Sequence, residues 1–260
     1  MHIIKVDKSN EKSFLAYVKE KKHENFLIWM DYKLNPEHNH LFMAINENQK
    51  IQGIFQVLFG QIQLRGSKEA VETFIKYLME QYIEIQEISG TLLHEDVLNQ
   101  YFPAPKMKVN KYCMIFSKEN KQIYPQFKFQ KLEGNEETKE KIASLIREAD
   151  PKHWGGVKSN HLVVDKTRPY FAIMGDNGEI LSIAGLWFDE TIGLVNVVAT
   201  HPISRKKGYA TSILSSSVDW LSQRTEKIII DARTDNTPAI RIYQKLGFNI
   251  GYEFLIITIE

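Results

Sequence analysis

The sequence has one cysteine, Cys113, in 260 residues. That excludes an internal disulfide and fits a reducing, cytoplasmic compartment. It also lacks an excess of either charge. Thirty-three Lys and Arg stand against 32 Asp and Glu, for a net charge of +1. Residues 1–125 hold 16 basic and 15 acidic groups, so neither half is a charged tail. Bulk charge therefore gives no footprint for nucleic acid or a membrane surface. Long apolar runs are missing too: stretches such as Phe26 to Met30 fall far short of the roughly 20 residues that span a bilayer. The N-terminus turns polar by Lys5 and Asp7 and shows no signal-peptide core. What is present, 43% hydrophobic and 25% charged residues, is ordinary for a globular chain and argues against disorder, collagen or a coiled coil. The length is comfortable for two domains.

Periodicity divides the chain into halves with nearly the same order of elements. In the first, strands are predicted at 2–6, 41–46, 51–59, 61–64, 82–88 and 107–116. Helices are predicted at 10–21, 24–34, 67–81 and 95–101, with Ser67 as a cap. The segment 117–124 reads as a linker. The second half begins with a strand at 126–130 and a helix at 135–150 that stops before Pro151, followed by a helical stretch at 153–165. Strands at 170–174 and 179–188 flank the Asn177-Gly178 hairpin signal. A strand at 192–200, a helix at 208–223, a strand at 227–231, a helix at 238–246 and closing strands within 248–259 complete it. The expectation is an α/β protein of two domains, 1–120 and 125–260, each a mixed central sheet flanked by helices, related by duplication.

Chemistry concentrates in two blocks. In Val197-Val198-Ala199-Thr200-His201-Pro202-Ile203-Ser204-Arg205-Lys206-Lys207-Gly208-Tyr209-Ala210-Thr211 a strand ends, a basic turn follows and a glycine opens a helix. Such a turn exposes backbone amides at a positive helix end, where a phosphate is stabilised. Downstream stands Asn236-Thr237-Pro238-Ala239-Ile240-Arg241-Ile242-Tyr243-Gln244-Lys245-Leu246-Gly247-Phe248. Helical spacing puts Ala239 and Tyr243 on one face. Together the blocks resemble the GNAT superfamily of acyl-CoA-dependent N-acyltransferases, through its R/Q-x-x-G-x-G/A loop and its N-x-x-A-x-x-x-Y-x-x-x-G-F helix.

The resemblance implies acetyl-CoA (coenzyme A) bound between two splayed parallel strands, 192–200 and 227–231. The pantetheine arm would pair with main-chain groups along Val198, Ala199 and Thr200. The pyrophosphate would rest on the amides of Arg205, Lys206, Lys207, Gly208, Tyr209, Ala210 and Thr211. Asn236 would bond the arm, Ala239 would leave it room, and Tyr243 would protonate the departing thiolate. The Val198 amide would donate to the developing oxyanion. Where many family members carry a glutamate as base, this sequence has Leu194. Glu190, acting through water with Asp189 beside it, is one candidate base and Asp231 another, while His153 and Trp154 lie in the region that forms the acceptor site in this family. Asn196, Trp154 and Asp231 are candidate acceptor contacts, with alternation placing Leu194, Asn196 and Val198 on one strand face. The expected reaction is acetyl transfer to a primary amine of a small molecule or protein, the alternative being a non-enzymatic acyl-CoA-binding module. No nucleic acid, membrane or metal is implied, and a monomer or homodimer fits equally. The first half has only Gln63-Leu64-Arg65-Gly66-Ser67-Lys68 at the matching turn, so a degenerate, non-catalytic GNAT-like domain is expected there.

Overall fold

The computed structural model describes residues 1–120 and 127–259. Two compact units emerge: Met1–Tyr112 together with the chain from Tyr252 onward, and Cys113–Gly251. The sequence reading split the chain between 120 and 125 and kept the C-terminal strand with the second half. Packing draws the line earlier and assigns that strand's tail to the first unit. Of the expected linker 117–124, residues 121–124 lie outside the described residues, as does the first residue of the strand expected at 126–130.

The first unit runs β1 (His2–Lys5), α1 (Glu11–Glu20), α2 (Phe26–Leu34), β2 (His40–Ile45), β3 (Ile51–Leu58), β4 (Gln61–Gly66), α3 (Lys68–Glu80), β5 (Glu87–Thr91), α4 (Glu95–Tyr101) and the start of β6 (Met107–Phe116). β1 to β4 form an antiparallel meander and β4 pairs β5 in parallel. α3 starts at Ser67, whose hydroxyl accepts from the Ala70 amide at 3.2 Å, satisfying one of the four free donors of a helix start. Its apolar stripe of Val71, Phe74, Ile75 and Leu78 is fully buried, with Phe74 stacked on Phe55 of β3 at 4.2 Å between ring centres. The strand expected at 82–88 begins only at Glu87, because Tyr82 takes a positive φ of 53° that breaks the extended run.

The second unit contains β7 (Phe129–Lys131), α5 (Glu136–Ala149), α6 (Pro151–Trp154), β8 (Tyr170–Met174), β9 (Ile180–Phe188), β10 (Ile192–Thr200), α7 (Tyr209–Ser222), β11 (Lys227–Arg233), α8 (Thr237–Lys245) and the start of β12 (Phe248–Thr258). β7 to β10 pair antiparallel, and β11 lies parallel to β10. α5 covers one face through Ile142, Leu145 and Ile146, packed with Ala172, Ile183 and Ala199. α7 covers the other, where Trp220 meets the rings of Phe171 and Phe188 at 5.3 and 5.1 Å. A Cβ on Gly193 would lie 2.7 Å from Leu221, so that close strand–helix approach needs glycine. The helix expected at 153–165 is instead the single turn α6 and a 3-10 turn at Ser159–His161. Glycines at 155 and 156 keep the chain from continuing as helix.

Candidate active site

β10 and β11 are paired only from Ile192↔Lys227 to Val195↔Ile230. Both strands run on, to Thr200 and Arg233, so the parallel pair parts at its C-terminal end. His201 N–H donates to the Leu181 carbonyl of β9 at 2.9 Å. Main-chain groups alternate direction along an antiparallel strand. Those of Val198 and Thr200 consequently point away from β9, toward the side that β11 has left.

The ladder between β9 and β10 slips between Val195↔Leu186 and Val197↔Gly185. Asn196 is the extra residue, a β-bulge, and it is exposed. The bulge overturns the expected alternation. Val197 and Ala199 face α5, as Leu194 does by register, while Val198 pairs Ala184 on the α7 face. Leu194 and Val198 are thus on opposite faces, and Asn196 stands out from the ladder.

Between β10 and α7, Lys206 and Gly208 take positive φ values of 62° and 87°. Gly208 caps α7 without a side chain. Among the described residues, no group accepts from the amides of Lys206, Lys207, Gly208, Tyr209, Ala210 or Thr211; the first amide to bond back is Ser212, to Gly208 at 3.0 Å. Six open donors beside two exposed lysines make an anion cradle by geometry as well as by helix dipole. Arg205 is turned elsewhere: its Nη2 donates to the Ala149 carbonyl at 2.5 Å. The aromatic Tyr209 packs on Phe127 at 4.6 Å.

Asn236 caps α8, its side-chain oxygen accepting from Ala239 N at 3.3 Å. Its amide nitrogen is what remains to meet a ligand, and Ala239 beside it is half-buried. Tyr243 lies one turn on, 9% exposed. Burial pushes its phenol up to about 12, and the Asp231 carboxylate adds to the rise. The structure therefore couples Tyr243 with Asp231, which sequence left as a separate candidate. Glu190 is elsewhere. It is exposed in the turn joining β9 to β10, where Asp189 accepts from the amides of Thr191 and Ile192. That turn is at the paired end of β10, and Glu190 is about 26 Å of extended chain from Val198 at 3.3 Å per residue. Glu190 drops out as a base on this ground.

Trp154, 41% exposed, ends α6 on a corner that sequence reasoning largely missed. Glu148 pairs with His201 at 3.0 Å. Asp150 accepts from Arg233 Nη1 at 2.8 Å and from His153 Nδ1 at 2.9 Å. Burial pulls the Asp150 carboxyl upward, but the bonds from Arg233 and His153 outweigh it, leaving the group below its ordinary value. Asp150 before Pro151 is legible as a helix cap; its Arg233 partner, 83 residues away, carries no local signal. Among the described residues no group of three or more His, Cys, Asp or Glu is set to hold a metal ion. No helix among them is long and apolar enough to cross a membrane.

A parallel pair that parts beside an uncapped helix start is the architecture of an α/β domain that holds an extended, phosphate-bearing ligand. Residues 133–248 match the model of the Acetyltransferase (GNAT) family, and this segment is a GNAT acetyltransferase domain. The family and fold imply acyl-CoA-dependent acetyl transfer in general. A tandem GNAT protein from the clavulanic acid biosynthesis pathway is similar at 8% identity, over 99% of this chain and 97% of that one, with a TM-score of 0.64. An acetyltransferase from the GNAT family of Colwellia psychrerythraea is similar at 12% identity, over 100% of both chains, with a TM-score of 0.58. A GCN5-related N-acetyltransferase from Sphaerobacter thermophilus shares 12% identity over 84% of this chain and 79% of its own, TM-score 0.58. These likenesses are of fold, and the fold is the tandem GNAT arrangement. No curated protein matches the sequence.

Proposed function

We propose that the second unit is an N-acetyltransferase that moves an acetyl group from acetyl-CoA to a primary amine by direct attack on the thioester. The carrying observation is the conjunction at the open end of β10: parted strands, main chain turned into the gap, and an uncapped α7 with its amides open. Acetyl-CoA supplies the activated acetyl group. The amides from Lys206 to Thr211 hold its pyrophosphate, with Lys206 and Lys207 adding charge. Val198 and Thr200 pair the pantetheine arm, and the Asn196 bulge turns the strand toward the acceptor. Val198 N–H donates to the carbonyl oxygen as charge builds there, a preorganised dipole of the kind that dominates acyl transfer.

Tyr243 supplies the proton that the departing sulfur needs. With its phenol near 12 it holds that proton at every working pH. A thiolate, near 8.5 when free, is the weaker base, so complete transfer from Tyr243 is uphill unless the phenol is reprotonated in the same event. The amine nitrogen sheds a proton as it becomes an amide, which makes Tyr243 a relay rather than a reservoir. Cytoplasmic location follows in this reading from the single, buried Cys113.

Calorimetric titration with acetyl-CoA, paired with free-CoA release across a panel of primary amines, tests the proposal. Binding with amine-dependent release, lost in Tyr243→Phe, is the expected result. Binding without release from any amine would instead favour the non-enzymatic acyl-CoA module.

A further inference from the structure

With Leu194 buried at 2% in the place of a strand carboxylate, and Glu190 at the far end of β10, the domain needs a proton acceptor from elsewhere. The corner from Glu148 to His153 ties down both strands where they part. Glu148 binds His201 just past β10, the Ala149 carbonyl takes Arg205 of the loop, and Asp150 takes Arg233 at the end of β11. Residues 148–150 make all three ties, so the corner lies across the open end of the pair.

His153 rides on that corner with its side chain 15% exposed. Its Nδ1 lies 2.9 Å from Asp150 Oδ1. An ionised carboxylate only accepts hydrogen bonds, so Nδ1 carries the proton and the Nε2 of the neutral ring is left as a lone pair. Arg233 on the other Asp150 oxygen fixes the carboxylate. Of the other histidines of the unit, His201 also pairs one nitrogen, Nε2, with a carboxylate, that of Glu148, but its remaining Nδ1 is buried away from any incoming group, and His161 is exposed and accepts at Nδ1 from the Lys158 amide. Asp231, coupled to Tyr243, belongs to the leaving-group side.

We infer that His153 Nε2 is the base that takes the proton of the incoming ammonium, with Asp150 and Arg233 as positioning residues; this rests on the acetyltransferase reading above. Nε2 removes one proton and passes it to solvent. The freed nitrogen lone pair forms the C–N bond while the carbonyl π pair moves onto oxygen at the Val198 amide. The oxygen pair returns as the C–S bond breaks. Sulfur takes the Tyr243 proton, and the phenolate recovers one from the new amide nitrogen.

The pairing is equally what a helix cap would make, so the test must see the reactive nitrogen. Bromoacetyl-CoA carries an electrophilic carbon at the acetyl position, which alkylates a neutral imidazole: the ring nitrogen forms the N–C bond as bromide leaves. Peptide mapping by mass spectrometry is expected to place the adduct on His153, protected by acetyl-CoA and absent in His153→Gln. Asp150→Asn, which frees the wrong tautomer, should slow labelling by about tenfold or more. Calorimetric acetyl-CoA binding should be unchanged in both variants, which also certifies their fold. An adduct elsewhere, or none, in protein that binds acetyl-CoA overturns the assignment of His153. Undiminished labelling in Asp150→Asn overturns the positioning role. Failure of the parent protein to bind acetyl-CoA brings down the acetyltransferase reading itself, and this inference with it.

Discussion

The two units part their parallel strands in the same way and do opposite things with the gap. In the first, β4 and β5 are paired only to Gln63↔Ser89, and β4 continues to Gly66 and β5 to Thr91. There the space is closed from within. His94, fully buried, places Nε2 2.9 Å from the Gly66 carbonyl. Ser67 takes the Ala70 amide in the first turn of α3, and a single residue separates strand from helix. In the second unit eight residues, 201–208, separate β10 from α7, and glycine stands at the cap. The comparison teaches that the sheet geometry provides an opening and the turn decides its use. A side-chain cap and a buried imidazole satisfy the polar groups internally; a long loop with a bare cap leaves them for a ligand.

The largest effect should separate the two tyrosines on the helices that follow the parted strands. Tyr243→Phe should lower amine-dependent CoA release by about 100-fold or more, within the usual range for proton transfer, while acetyl-CoA binding stays intact. Tyr101, whose hydroxyl is spent on Glu72 at 3.2 Å, should tolerate the same change with no loss of turnover. Next come the glycines. Gly208→Val puts a β-branched residue at a φ of 87°, a strain of about 1–2 kcal/mol, beside the proposed phosphate. Acetyl-CoA affinity measured by calorimetry should fall about tenfold. Gly66→Ala instead drives a Cβ to 2.4 Å from the Gln52 carbonyl. It should lower thermal stability by about 1–3 kcal/mol and leave acetyl-CoA affinity alone. Smaller still, Lys206→Ala with Lys207→Ala should weaken acetyl-CoA by only a few-fold, about 0.5–1 kcal/mol, and flatten its salt dependence. Lys68, paired with Asp96 on the surface of the first unit, should do neither.

Most helices and strands were legible because their apolar stripes and stops are local. Ser67, Asn236 before Pro238, and the glycine run at 155–156 each announce a boundary within a few residues. The bulge was not legible: Ile192 to Thr200 reads as one continuous strand rich in Val and Ile, and only the register against β9 reveals the extra residue at Asn196. The same holds for the tail of β12. Its pairing of Phe254 with Thr91 and Thr258 with Glu87 spans most of the chain, and periodicity cannot name a partner. The cofactor loop was visible as a motif because its spacing is local. The Asp150–Arg233 tie and the His94 plug depend on contacts that no window contains.

His94 offers the finest test of the contrast, through pH. Burial holds its imidazole below the usual 6.5, outweighing the Gly66 carbonyl, which pulls the other way. The folded first unit therefore keeps the ring neutral where the unfolded chain has begun to bind a proton. Stability rises with pH wherever the unfolded state holds more protons. The contribution is complete above 6.5 and is lost as pH falls from there toward the lower folded value. A glutamine can still donate to the Gly66 carbonyl but cannot take up a proton. In melts from pH 7.5 down to 5, the parent should lose stability in the first unit that His94→Gln retains, with the two curves converging above about pH 7. An identical slope in both proteins would mean that the plug titrates as freely as a surface histidine, and that its closure of the gap is not what keeps the first unit shut.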